Sequence, residues 1–126
     1  MFVAAVLFSL ISLFAPGKSS AEDIWCYGKG TLSYYLVSDK ISVVEKEPIF
    51  RCLVNVVDNE SGKLVNFHSF GFENLDGTMV SYTFLRAKGI WEYHGQARSN
   101  PLDNAVWQAM KPYLKQKGFE NIYYWD

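Results

Sequence analysis

Alternation of apolar and polar residues, broken at short intervals by turn-forming residues, is the feature that most restricts what this chain can fold into. Thr31–Val37 places Leu32, Tyr34 and Leu36 on one side. Ile49–Val57 does the same with Phe50, Cys52, Val54 and Val56, just after Pro48, which limits pairing at its own position. A period of two is the signature of a half-buried strand, because successive side chains of an extended backbone point to opposite faces. Further alternating runs are Ile41–Glu45, Leu64–Phe72, Met79–Leu85 and Ile90–Gln96. Between them stand Ser38-Asp39-Lys40, Asp58–Lys63 with Gly62, Asp76-Gly77 and Lys88-Gly89, each read as a turn. Strands that follow one another at such short spacing pair as an antiparallel meander.

The period changes at Ser99. Asn100-Pro101-Leu102-Asp103 has the makings of a helix start: Asn as N-cap, Pro in the first turn and an acid three residues after the cap. Val106, Met110 and Leu114 then recur every fourth residue, with Trp107 and Tyr113 beside them and Lys111 and Lys115 on another side. Pro112 removes a helical N–H and predicts a kink or break, and Lys117-Gly118 predicts the end. Phe119–Trp125 reads as a final strand. The expected fold class is α+β: an antiparallel β-meander, either a curved sheet or a small barrel, with one C-terminal amphipathic helix followed by that strand.

The chain has 126 residues, enough for one ordinary domain. Met1–Ala15 contains 13 apolar residues and no charge, too short a run to span a bilayer as a helix. Pro16-Gly17 and Ser19-Ser20-Ala21 follow it, the small residues that precede a signal-peptidase cut. The expectation is a signal peptide over 1–21 and a single exported domain over 22–126, with no membrane span after cleavage. The protein is then secreted or periplasmic, or attached to the cell surface. Cys26 and Cys52 both fall in the exported part, where two thiols of one small domain usually pair. Such a disulfide would stabilise the fold by about 3 kcal/mol. With 12 basic and 13 acidic side chains and no basic cluster, nothing recommends nucleic acid or an anionic membrane surface as a partner.

Chemistry-bearing residues are few. His68 and His94 lie in separate strands, and Glu92 shares a face with His94. Those three would form a two-histidine, one-carboxylate metal site if the sheet brought His68 alongside. No spacing enforces it, and the plainer expectation is two ordinary strand histidines, with no metal and no cofactor. There is no GxSxG motif for a nucleophile. Asp58–Gly62 imitates the front of a calcium loop but lacks the distant glutamate. Gly28-Lys29-Gly30 is too short for a phosphate loop and reads as a turn or bulge. Asn59-Glu60-Ser61 is a glycosylation sequon, relevant only in a eukaryotic source.

Aromatic residues form 17% of the chain. Consecutive pairs such as Tyr34-Tyr35 and Tyr123-Tyr124 must split between the two faces of a strand, so one member of each is free for surface work. Tyr35, Trp91, Tyr93 and Tyr124 are the resulting candidates for a binding surface, directed at a protein or a glycan. The last strand is also a possible edge for strand addition by a partner.

Trp25-x-Tyr27, Gly30, Tyr34-Tyr35 and Ser38, followed by Gly62-Lys63-Leu64, Tyr82-Thr83-Phe84 and Gly89–Tyr93, resemble small secreted β-rich envelope proteins of Gram-negative-staining Firmicutes. The same order of strands and turns is similar to surface-adhesin protein E-like domains. The resemblance implies a bacterial source and a non-catalytic role. The leading expectation is thus an exported, non-catalytic, adhesin-like binding module of the envelope or cell surface. A secreted inhibitor or immunity protein against a hydrolase is the first alternative. A small hydrolase or metal site built on Glu92, His94 and His68 is the second.

Overall fold

The computed structural model of the chain describes residues 23–44 and 49–119. Within them, six antiparallel strands form one sheet: β1 (Asp23–Lys29), β2 (Leu32–Val44), β3 (Ile49–Asp58), β4 (Leu64–Leu75), β5 (Thr78–Leu85) and β6 (Ile90–Gln96). Spatial order follows chain order, so the sheet is a simple meander with β1 and β6 as its edges. It is an open sheet and not a barrel. A short 3₁₀ turn, Ala97–Ser99, leads into the helix α1 (Pro101–Gln116), which packs on one face. The expected leader and Phe119–Trp125 strand, with Tyr124, lie outside the described residues, apart from Phe119 itself.

Three hairpin loops behave as their residues dictate. Gly62 and Gly89 take left-handed backbone angles, φ 72° and 67°, in the β3–β4 and β5–β6 loops. Asp76 and Gly77 both have positive φ, 54° and 86°, the pattern of the tight turn whose twist matches its flanking strands. Around the first of these loops Ser61 Oγ donates to Asp58 Oδ2 at 3.0 Å.

Ser38-Asp39-Lys40, expected to be a turn, instead lies inside one long strand. β2 runs unbroken, and its register against β3 shifts between Val37 and Ser42. A bulge absorbs the polar triplet and switches the parity of the core positions, so that Leu36 before it and Ile41 after it face the same core. Pro112 does not break the helix, since α1 continues across it to Gln116. Pro112 is exposed, so the carbonyl it fails to bond can be satisfied by water.

The core forms between the helix stripe and the inner face of β2–β5. Val106, Trp107, Met110 and Leu114 are fully buried, against Leu36, Phe50, Val54, Phe70 and Phe72. Trp107 sits between two rings, with centroids 5.7 Å from Phe50 and 5.4 Å from Phe72. Phe119 adds an edge-on contact to Phe50 at 5.6 Å.

The expected Cys26–Cys52 disulfide is not formed: both cysteines are free thiols. The reason is topological. Cys26 stands on β1 and Cys52 on β3, with β2 hydrogen-bonded between them. Strands separated by a third lie about 9–10 Å apart, whereas a disulfide requires Cα atoms within about 7 Å. The Cys26 thiol instead donates to the Tyr34 carbonyl at 3.3 Å. Burial pushes its pKa up to about 11 despite a backbone hydrogen bond at Leu36. Burial, with neighbouring Cys26 second, raises Cys52 further.

Two outcomes follow from this packing. Thiol titration of the denatured protein should count two free thiols, while the native protein at neutral pH should react slowly, because the thiolate is the nucleophile. A count near zero would restore the disulfide. Trp107→Ala should cost about 3–5 kcal/mol in a urea melt, from lost transfer energy and the cavity left between Phe50 and Phe72.

Candidate functional site

The two faces of the sheet carry different chemistry. On the face away from α1, the register aligns Trp25 with Tyr35, Tyr35 with Asn55 and Asn55 with Phe67. It likewise aligns Arg51 with Gly71, Gly71 with Tyr82, Tyr82 with Tyr93 and Phe84 with Trp91. Paired residues share a face, so Tyr35, Trp91 and Tyr93, three of the expected binding residues, stand on one surface together with Trp25, Phe67, Tyr82 and Phe84. Trp25 and Tyr93 are each 57% exposed.

Near the β6 edge this surface is organised around a missing side chain. The Trp91 ring lies over Gly71, where an added Cβ would stand 3.4 Å from Cζ3. The Arg51 guanidinium is 5.1 Å from the Trp91 centroid, and the Phe84 ring packs at 5.3 Å. Beside them Tyr82 donates its hydroxyl to Glu73 Oε1 at 3.1 Å, and its ring meets Tyr93 at 5.3 Å. Partial burial, then the bond to Glu73, holds the Tyr82 hydroxyl proton above its ordinary pKa. Ile49, Arg51, Gly71, Glu73, Tyr82 and Trp91 enclose a largely apolar recess of about 190 Å³. One cation and one carboxylate flank its aromatic walls.

The helix-side face carries the histidines. His68 stacks on Tyr34 with centroids 6.5 Å apart and meets Phe70 edge-on at 6.3 Å. It borders a cleft of about 440 Å³ at the end of the sheet, where β4 continues past the last residue that β5 pairs with. There Arg86 lies 4.0 Å above the Phe67 ring and donates to Asn66 Oδ1 at 3.4 Å. Burial, then Arg86, lowers the His68 pKa.

His94 has a different setting. Its Nδ1 is 2.8 Å from Asp103 Oδ2, and its Nε2 is 3.0 Å from Thr83 Oγ1 and 3.4 Å from Glu92 Oε1. Asp103 is buried at the start of α1, where its N–H caps onto Asn100 Oδ1 at 3.3 Å. Ser81 Oγ donates to Asp103 Oδ2 at 2.5 Å. Residues of β4, β5, β6 and the first turn of α1 surround a second recess of about 230 Å³, which His68, Thr83, Glu92, His94 and Asp103 all border.

Of the three residues that a metal site on His68, Glu92 and His94 would require, Glu92 and His94 meet. His68 shares the recess without completing a ligand set, and among the described residues no three His, Cys, Asp or Glu side chains are grouped to hold a metal ion. Asp103, Ser81 and Thr83 were not anticipated as site residues. Asp103 reads in sequence as a helix-start acid, and nothing in linear spacing couples it to a strand 22 residues earlier. Comparison with family models, curated proteins and solved structures returns no match. No helix among the described residues is long and apolar enough to cross a membrane.

The depressed His68 pKa carries a pH signature. Its folded state resists protonation, so this contribution to stability is whole where imidazole is neutral. It declines as pH falls below the ordinary histidine value of about 6.5, and is lost once the folded pKa is passed. His68→Phe, neutral at every pH and able to keep the Tyr34 stacking, should show a smaller fall in Tm between pH 7 and pH 5 than the parent. Equal falls would place the acid sensitivity elsewhere.

Proposed function

We propose that the protein is an exported binding module of the cell envelope or surface, and that the helix-free face of its sheet engages a protein or glycan partner. The observation that carries this reading is the Gly71 recess, framed by Arg51, Glu73, Tyr82 and Trp91 within a wider aromatic surface. Tyr, Trp and Arg are the residues that most often anchor interfaces: the two aromatics combine large apolar area with few rotatable bonds and a polar handle, and the guanidinium of Arg is a planar fork of donors. A volume of about 190 Å³ accommodates one side chain or one sugar ring edge-on. The apolar leader over 1–21 supports export, and the near-balanced charge supports a partner other than nucleic acid.

The test is capture of a partner from envelope extracts, in parallel with a glycan array, using parent protein and two variants. Trp91→Ala removes the main wall and should weaken binding by about 2 kcal/mol, roughly 30-fold in Kd. Gly71→Val builds a side chain into the recess against the Trp91 ring and should also weaken binding. If both variants retain full affinity for whatever the parent captures, this face is not the binding surface.

A further inference from the structure

We propose a second activity, on the opposite side of the sheet: Thr83, His94 and Asp103 form a nucleophile–base–orienter relay that transfers short acyl groups from neutral esters to water. The assignment of roles follows from the hydrogen bonds. Asp103 Oδ2 already accepts from Ser81 and is also the partner of His94 Nδ1, so Nδ1 carries the proton. In the neutral imidazole Nε2 is then the acceptor, and Thr83 Oγ1, 3.0 Å away, donates to it. The neutral ring cannot donate from Nε2 to Glu92, so the longer 3.4 Å approach becomes a hydrogen bond only when the imidazole is protonated. A hydroxyl donating to an imidazole that a buried carboxylate orients is the arrangement that activates a weak oxygen nucleophile.

The surroundings suit the reaction class. The recess of about 230 Å³ has Phe70, Leu85 and Leu102 in its lining, an apolar space smaller than sites for drug-sized ligands and matched to a short acyl chain. Glu92, with its side chain 54% exposed, disfavours an anionic substrate. Leu102 belongs to the first turn of α1, the positive end of the helix dipole, which favours an oxyanion developing nearby.

The step balances without any other reagent. Thr83 Oγ1 bonds to the ester carbonyl carbon as its proton passes to His94 Nε2. The carbon–oxygen bond to the leaving alcohol breaks, and that alkoxide takes the proton from Nε2. A water molecule then gives a proton to the same nitrogen and attacks the acyl-threonine, releasing the acid and restoring the hydroxyl. Asp103 touches no reacting atom and acts as a positioning residue.

Incubation with p-nitrophenyl acetate, read by nitrophenolate release and by mass spectrometry of peptides, tests the relay. The parent should acquire an acetyl group on Thr83 and release nitrophenolate. Thr83→Ser should keep both signals. Thr83→Val, nearly isosteric, should abolish the acetyl-peptide, and His94→Gln should slow its formation roughly 10²-fold or more. Asp103→Asn should lower kcat with KM unchanged. Thermal melts of each variant separate loss of chemistry from loss of fold. Acetylation confined to lysine or tyrosine, or nitrophenolate release undiminished in folded Thr83→Val, overturns the relay. So does a set of variants that changes Tm while the parent itself forms no acyl-threonine, the behaviour of a purely structural clasp.

Discussion

Burial of Trp107 between Phe50 and Phe72 joins the two halves of this molecule, and most other features depend on it. Isolated helices of this length are marginal in water, and one that contains a proline is weaker still. α1 exists because Val106, Trp107, Met110 and Leu114 leave water together when it docks. The sheet depends on the helix in return. A meander with apolar residues on both faces has no inherent inside, and docking α1 on the Phe50/Phe70/Phe72 side makes that side the core. The other face then keeps its aromatic residues without a cover of its own among the described elements.

Docking also explains why a carboxylate is buried. Asp103 occupies the third position of α1, where an acid favours the helix dipole, but there it cannot avoid the sheet. A carboxylate removed from water is costly unless its oxygens are satisfied. Ser81 and His94 from neighbouring strands supply that satisfaction at a single oxygen. The N-terminal end of the helix is therefore held by directional bonds and its middle by shape, so the helix can neither slide nor roll without breaking one or the other. The recess next to His94 inherits its geometry from this double constraint.

How far such a structure can be read from its residues depends on the range of the interaction. Period-two alternation located β3, β4, β5 and β6, and Asn100-Pro101 located the helix start, because both signals are local. Ser38-Asp39-Lys40 misled because a polar triplet looks the same in a turn and in a bulge; only the parity change from Leu36 to Ile41 distinguishes them, and it becomes meaningful once both are known to be buried. The Cys26–Cys52 pairing misled for a related reason, since the distance between two cysteines along the chain says nothing about a strand lying between them. Glu92 beside His94 was legible from alternation alone. The partnership of Ser81, Thr83 and Asp103 was not, because it exists only at the angle and height at which α1 crosses the sheet.

The two proposed surfaces share one hairpin, and the backbone period keeps them distinct. In β5, Thr83 is flanked by Tyr82 and Phe84, and in β6, Glu92 and His94 bracket Tyr93. Adjacent residues of a strand face opposite ways, so the same few residues furnish aromatic walls on one face and a hydroxyl, carboxylate and imidazole on the other. Within this hairpin the alternation therefore also sorts the chemistry, placing Tyr82, Phe84, Trp91 and Tyr93 on the side away from α1 and Thr83, Glu92 and His94 on the side where it begins. A one-residue slip of β6 against β5 would exchange the two sets, burying Trp91 and Tyr93 toward the helix and turning His94 outward. Gly95, held at φ 83° beside the register shift between Ser81 and Tyr82, lies at the point where that slip is decided. The irregularity there lets the strand leave the sheet toward Ala97 and α1 while Tyr93 and Trp91 keep their pairing with Tyr82 and Phe84, and on that pairing both faces rely.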